Sequence, residues 1–211
     1  MQPTADAASD PATPERILES ARQLFRERGV RRTRMSDIAE GAGVVRQTVY
    51  DWVSSRSDIV DLAMAARVKE LGEDVKAMSV DDSLPLHDQL LQVLMTIARV
   101  AGTDPEAEIL AQAMPEQHAF LFMSGPSALT DVVVDILDPY LVRAGEQGLL
   151  RDGLGTRAIA EWVQLVAASL RHRVASEEEG LARKLEYFLL PAILLDEPRE
   201  RPVVDGTRAT Q

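Results

Sequence analysis

The seven residues from Arg46 to Trp52 hold the side chains best suited to chemistry in this chain. Arg46 offers a planar fork of donors, Gln47 carries a donor and an acceptor on one amide, and Thr48 and Tyr50 add hydroxyls. Within two turns of helix, such a set can hydrogen-bond to phosphate oxygens and to base edges in a DNA major groove. Three further arginines, Arg31, Arg32 and Arg34, lie just upstream. The net charge of −11 opposes that reading only until it is divided along the chain. Residues 14 to 70 carry eleven basic and nine acidic groups, a net of +2, whereas residues 71 to 211 carry −11. Affinity for DNA follows local neutralisation of phosphates, and an acidic remainder turns the other end away from the duplex.

Other chemistries find little support. The three histidines, at positions 87, 118 and 172, have no metal-ligand spacing among them, and the chain has no cysteine. No glycine-rich phosphate loop or nucleophile elbow occurs, so neither an enzyme nor a cofactor or metal is expected. No apolar run approaches the roughly 18 residues of a membrane span. The first fifteen residues lack the basic start and apolar stretch of a secretory signal, and the expected location is the cytoplasm with no membrane contact.

Helical punctuation must position these groups. Residues 1–13 show no apolar period and are expected to be a disordered tail, with another flexible tail at 198–211. Thr13 can cap a helix whose Ile17, Leu18, Ala21, Leu24 and Phe25 share a face and which Gly29 ends. A short helix over Met35, Ile38, Ala39 and Ala42 stops at Gly43, and a second runs from Arg46 to Trp52. Ala39 is small enough for two helices to cross, Gly43 suits a left-handed turn, and Val44 can plug the space between them. Val49, with Trp52 or Val53, is the inward candidate of the second helix. This is a helix-turn-helix pattern. The polar break Ser54 to Asp58 can cap a long helix from about Arg56 to Ala77. Helical segments follow near 84–102, 105–114, 127–148, 156–174 and 177–195, with a kink expected at Pro139. Without a convincing strand, the expected fold class is all-α, with about nine helices.

The stretch from Ile17 to about Leu62 resembles the TetR family of transcriptional regulators. The resemblance rests on Ala21, Leu24, Phe25 and Gly29, then Thr33, Ile38-Ala39, Ala42-Gly43-Val44, Thr48-Val49-Tyr50 and Ser55 to Ile59. It implies a helix-turn-helix DNA-binding domain over 14–58 and a helical effector-binding and dimerisation domain over 59–197. Arg46 and Gln47 become the base readers. Thr48, Tyr50, Trp52 and Arg56 become phosphate contacts, assisted by Thr33 and Arg34 at the start of the second helix. Val45 stands where the family commonly has a small capping residue, which forgoes a cap but places an apolar side chain for a thymine methyl. Asp51 stands where a neutral or basic residue is frequent, so it must avoid phosphate or accept from a cytosine amino group.

The same resemblance implies a homodimer through the helices near 156–174 and 177–195. The first is apolar on well over one face, from Ala158 to Leu170, and the second repeats Leu181, Leu185, Phe188, Leu189 and Ala192. Met95, Met114, His118, Phe120, Phe122, Met123 and Trp162, with His87 nearby, are the candidates for an apolar or aromatic effector site. The expected function is a repressor that such an effector releases from operator DNA. The alternative is a DNA-binding adaptor with a protein partner and no small ligand.

Overall fold

Ile17, Ala21 and Phe25 are fully buried on one face of α1 (Thr13–Arg28), which Gly29 ends at φ 80° with its N–H donated to the Phe25 carbonyl at 2.9 Å. The computed structural model describes residues 13–78, 80–124, 127–151, 153–170 and 178–195, leaving His172 and the two expected tails outside, except for Thr13, which begins α1. A 3₁₀ turn (Val30–Arg32) leads to α2 (Met35–Gly41), α3 (Arg46–Trp52) and the long α4 (Arg56–Ala77). The expectation for α4 matches both of its ends. Its start is a capping box: the Asp58 carboxylate accepts the Ser54 and Ser55 N–H groups at 2.9 and 3.0 Å, and Ser55 Oγ accepts the Asp58 N–H at 3.2 Å.

The body continues as α5 (Leu86–Thr103), α6 (Pro105–Ala113), α7 (Glu116–Ser124), α8 (Ala128–Glu146), α9 (Thr156–Leu170) and α10 (Glu178–Lys184). A π turn (Leu185–Leu189) and a last short helix, α11 (Leu190–Ile193), close the described chain. The fold is all helical: extended pairing among the described residues amounts to one bridge between Leu150 and Leu194. No described helix is long and apolar enough to cross a membrane. Helix α8 runs through Pro139 without interruption. The π turn widens the backbone just ahead of Pro191, which has no N–H to give the preceding turn.

Two apolar cores divide the molecule. The first joins α1, α2, α3 and α4 from Ile59 to Leu71, and it also takes in Ala107, Leu110 and Met114 from α6 and the turn after it. The second joins the end of α4 at Val75 with α5, α8, α9, α10 and α11. Helix α4 passes unbroken through both, so a division at residue 58 falls at its N-terminal end rather than between the cores. The elements of the first core are also bound to one another by charge. Arg22 on α1 pairs with Glu70 on α4 and with Glu106 on α6 at 2.6 Å, while Arg67 on α4 pairs with Asp104 at 2.6 Å. Both Arg22 and Glu106 are buried, and Arg26 adds a second contact to Glu106 at 2.9 Å.

Candidate nucleic-acid interface

The turn between α2 and α3 is built by close approach. Gly43 adopts φ 65°, and Val44 returns its N–H to the Ala39 carbonyl at 2.9 Å. Arg16 on α1 donates to the Ala42 carbonyl at 2.8 Å, and Ser20 Oγ donates to the Ile38 carbonyl at 3.0 Å. A side chain at Gly41 would meet Ser20 Oγ at 2.4 Å, so any other residue there would push that hydroxyl off the Ile38 carbonyl. Val44 is half-buried against the first core, as its position in the turn suggests.

Held in this way, α3 buries Val49, with Val53 just beyond its end, and turns Val45, Arg46, Gln47, Tyr50 and Asp51 outward. Val45 is 69% exposed at the N-cap position and makes no side-chain cap bond. Arg46 donates to the Tyr50 hydroxyl at 3.1 Å, and its guanidinium lies 5.2 Å from the centre of the Tyr50 ring. Gln47 Nε2 donates to Asp51 Oδ1 at 2.8 Å.

Arg34, Ser36, Arg46, Tyr50 and Arg56 line one open cleft between the start of α2, α3 and the start of α4. Three guanidiniums and two hydroxyls bordering a single cleft can bind successive phosphate oxygens. Arg56 also straps α4 to the 3₁₀ turn, with Nη1 donating to the Thr33 carbonyl at 3.2 Å. Asp37 does not cancel this charge. Its carboxylate is held below the usual range first by the Arg34 backbone N–H and then by Arg28, with which it pairs at 2.6 Å. Ser36 was missed by the sequence reading. A hydroxyl residue in the first turn of α2 was the available signal.

Two expected contacts are turned towards the core. Thr33 borders the cleft, but its side chain is fully buried and donates to the Gly29 carbonyl at 3.0 Å, which fixes the 3₁₀ turn. Trp52 is half-buried and packs against the first core. Thr48 is partly buried and stands outside the cleft lining.

The expected effector residues do not converge. Met114 belongs to the first core, and Phe122 is half-buried against that core. Met95 lines a separate groove with Met78, Val80, Leu91 and Arg99. His118 is exposed, as are Phe120 at 65% and Trp162 at 51%. His87 is half-buried and lies 3.2 Å from its neighbour Asp88, and the side chain of Met123 lies outside the described residues. The described apolar cavity lies elsewhere, between α4, α5 and α8. It has a volume of about 50 Å³ and is lined by Val68, Leu71, Gly72, Val100, Leu129 and Val132 among others. None of these lining residues was among the expected effector contacts.

Residues 17–62 match the family described as bacterial regulatory proteins, tetR family. The probable HTH-type transcriptional regulator ArpR of Pseudomonas putida is 31% identical over 102 residues, covering 46% of this chain and 49% of its own. The chain thus spans about half the length of that curated relative. An HTH-type transcriptional regulator of Mycobacterium tuberculosis is 28% identical over 179 residues, covering 85% of this chain and 84% of its own. Among solved structures, the transcriptional repressor QsdR of R. erythropolis superposes with a TM-score of 0.59 at 19% identity, covering 90% of this chain and 99% of that one.

Proposed function

Because the chain belongs to the TetR family of bacterial transcription regulators, we propose that it is a dimeric repressor that binds operator DNA in the cytoplasm through the cleft beside α3. The observation that carries this reading is the convergence of Arg34, Arg46 and Arg56 with Tyr50 and Ser36 on one cleft in a chain of net charge −11. Gln47 reads bases from the groove side of α3. Arg46, tied to Tyr50 on the cleft side, neutralises phosphate rather than reading a base as its sequence position alone suggested.

Dimerisation is supported by apolar surface on the last helices. Helix α9 turns Ile159, Ala160 and Val163 inward but leaves Trp162 and Leu165 exposed. Tyr187 and Phe188, at 67% and 78% exposure, stand out from the π turn while Leu185 and Leu189 are buried. Surfaces of this kind on two adjacent elements suit a two-fold, self-complementary four-helix contact.

The cavity between α4, α5 and α8 supports a small apolar effector. At about 50 Å³ it is smaller than an ordinary ligand site. A ligand must therefore part α4 from α8, where Gly72 lies against Val132 so tightly that a Cβ would meet the valine at 2.3 Å. Moving α4 displaces Arg56 and α3 with it, which gives the effector different affinities for two states. The small volume also favours the alternative, an adaptor with a protein partner, and an unchanged DNA affinity across apolar metabolites would select it.

Selection of bound fragments from genomic DNA tests the main reading. The wild type is expected to enrich a near-palindrome. Arg46→Ala is expected to weaken specific and non-specific DNA alike and to lower the salt slope by about 1. Relaxed preference at a single base instead would return Arg46 to base reading, and no enrichment at moderate salt would contradict operator binding.

A further inference from the structure

Side chains four residues apart on a helix share a face, and the exposed side of α3 is formed by two such pairs. Arg46 and Tyr50 make one ridge, joined at 3.1 Å and turned to the cleft that Arg34 and Arg56 also line. Gln47 and Asp51 make the other, joined at 2.8 Å, and neither lines that cleft. The first ridge is a donor surface. The second ends in a carboxylate.

A carboxylate on a DNA-facing helix is repelled by every phosphate near it, so Asp51 must gain a compensating partner or weaken binding. Gln47 supplies one donor within the protein. That bond spends one of the two amide N–H groups of Gln47 and leaves the other N–H and Oε1 beside the remaining lone pairs of Asp51, so the carboxylate is the acceptor-only group of the ridge. Among major-groove edges, the groups that donate are the cytosine N4 and adenine N6 amino groups; guanine offers O6 and N7, and thymine O4, all acceptors.

Resting on the operator-binding reading above, we infer that Asp51 is a specificity-determining residue. Its carboxylate, oriented by Gln47, selects bases carrying an exocyclic amino group and rejects guanine and thymine opposite it. The selection works by exclusion, because an acceptor placed against Asp51 adds to a repulsion that the phosphates have already set. It complements the Arg46 ridge, which raises affinity without regard to base.

Selection from a randomised duplex library with the full chain tests this, using wild type, Asp51→Asn and Gln47→Ala. Both substituted positions are exposed, so folding is not at stake. The wild type is expected to prefer cytosine or adenine about tenfold at one position of each half-site. Asp51→Asn, which can donate as well as accept, is expected to admit guanine or thymine there to within about twofold while other positions keep their preferences. Gln47→Ala should loosen the same position and its neighbour. Unaltered preferences in Asp51→Asn, or a wild-type half-site tolerant of guanine and thymine throughout, would overturn the inference. Failure of the operator reading is distinguishable, since the wild type would then enrich no sequence at all, and the inference would fall with it.

Discussion

Val45 occupies the N-cap of α3 without any means of capping it, and its exposed methyl groups face outward from the recognition end. A capping hydroxyl here normally stabilises a helix by about 1 kcal/mol, so its absence has a structural cost that an apolar DNA contact can justify. Val45→Ser is expected to raise the unfolding free energy by about 1 kcal/mol in urea denaturation while lowering affinity for the selected operator. A gain in both would remove Val45 from the interface. At this scale most of the site was legible, because Arg46, Gln47 and Tyr50 needed only helical spacing to be placed outward. Thr33 was not legible. A threonine beside three arginines reads as a surface residue, and only the Gly29 carbonyl beneath it shows why it turns inward.

Helix α6 is bound to the DNA-binding head by apolar contact and by buried charge together. Glu106 pairs with both Arg22 and Arg26, and the Arg22–Glu106 contact is almost wholly removed from solvent. Glu106→Ala leaves Arg22 buried with Glu70 as its remaining partner. The expected loss is about 3 kcal/mol, the lower end for breaking a buried pair, measurable by urea denaturation. An effect below about 1 kcal/mol would mean that solvent readily replaces Glu106. The same network gives a pH dependence. The hydrogen bond from Arg22 holds the Glu70 carboxyl at about 2 against an ordinary 4.5, with Arg67 adding to it. A carboxylate depressed in the folded state contributes stability above its unfolded value, so the contribution is complete above about pH 4.5 and is lost as pH falls towards 2. Thermal unfolding across that range should show the decline, and Glu70→Gln should flatten part of it. The sequence outlined α4 and α6 but not their union with α1, because ion pairs 84 and 48 residues apart leave no periodic trace. Helix α7 was missed for a related reason. Its apolar residues run consecutively from Ala119 to Met123 instead of following one face, and they were taken for ligand contacts.

In the proposed dimer, the last helices join two heads and α4 sets their spacing. Phe188→Asp places a charge at the centre of the proposed dimer contact while leaving the inward Leu185 and Leu189 untouched. It is expected to shift the protein from dimer to monomer in analytical ultracentrifugation and to weaken operator binding, since each monomer would engage only one half-site. A dimer of unchanged stability would move the interface elsewhere. The all-helical fold was legible at this scale because capped, amphipathic segments determine it. The cavity was not, since a void is a property of how α4, α5 and α8 meet rather than of any one of them. The central claim is that two copies of the cleft beside α3 engage successive major grooves. A hydroxyl-radical footprint of the full chain on its selected operator tests that claim most directly. Two protected patches with centres about 10 base pairs apart are expected, both needing more protein to appear in Arg46→Ala. A single patch, or protection that Arg46→Ala leaves unweakened, would contradict the claim.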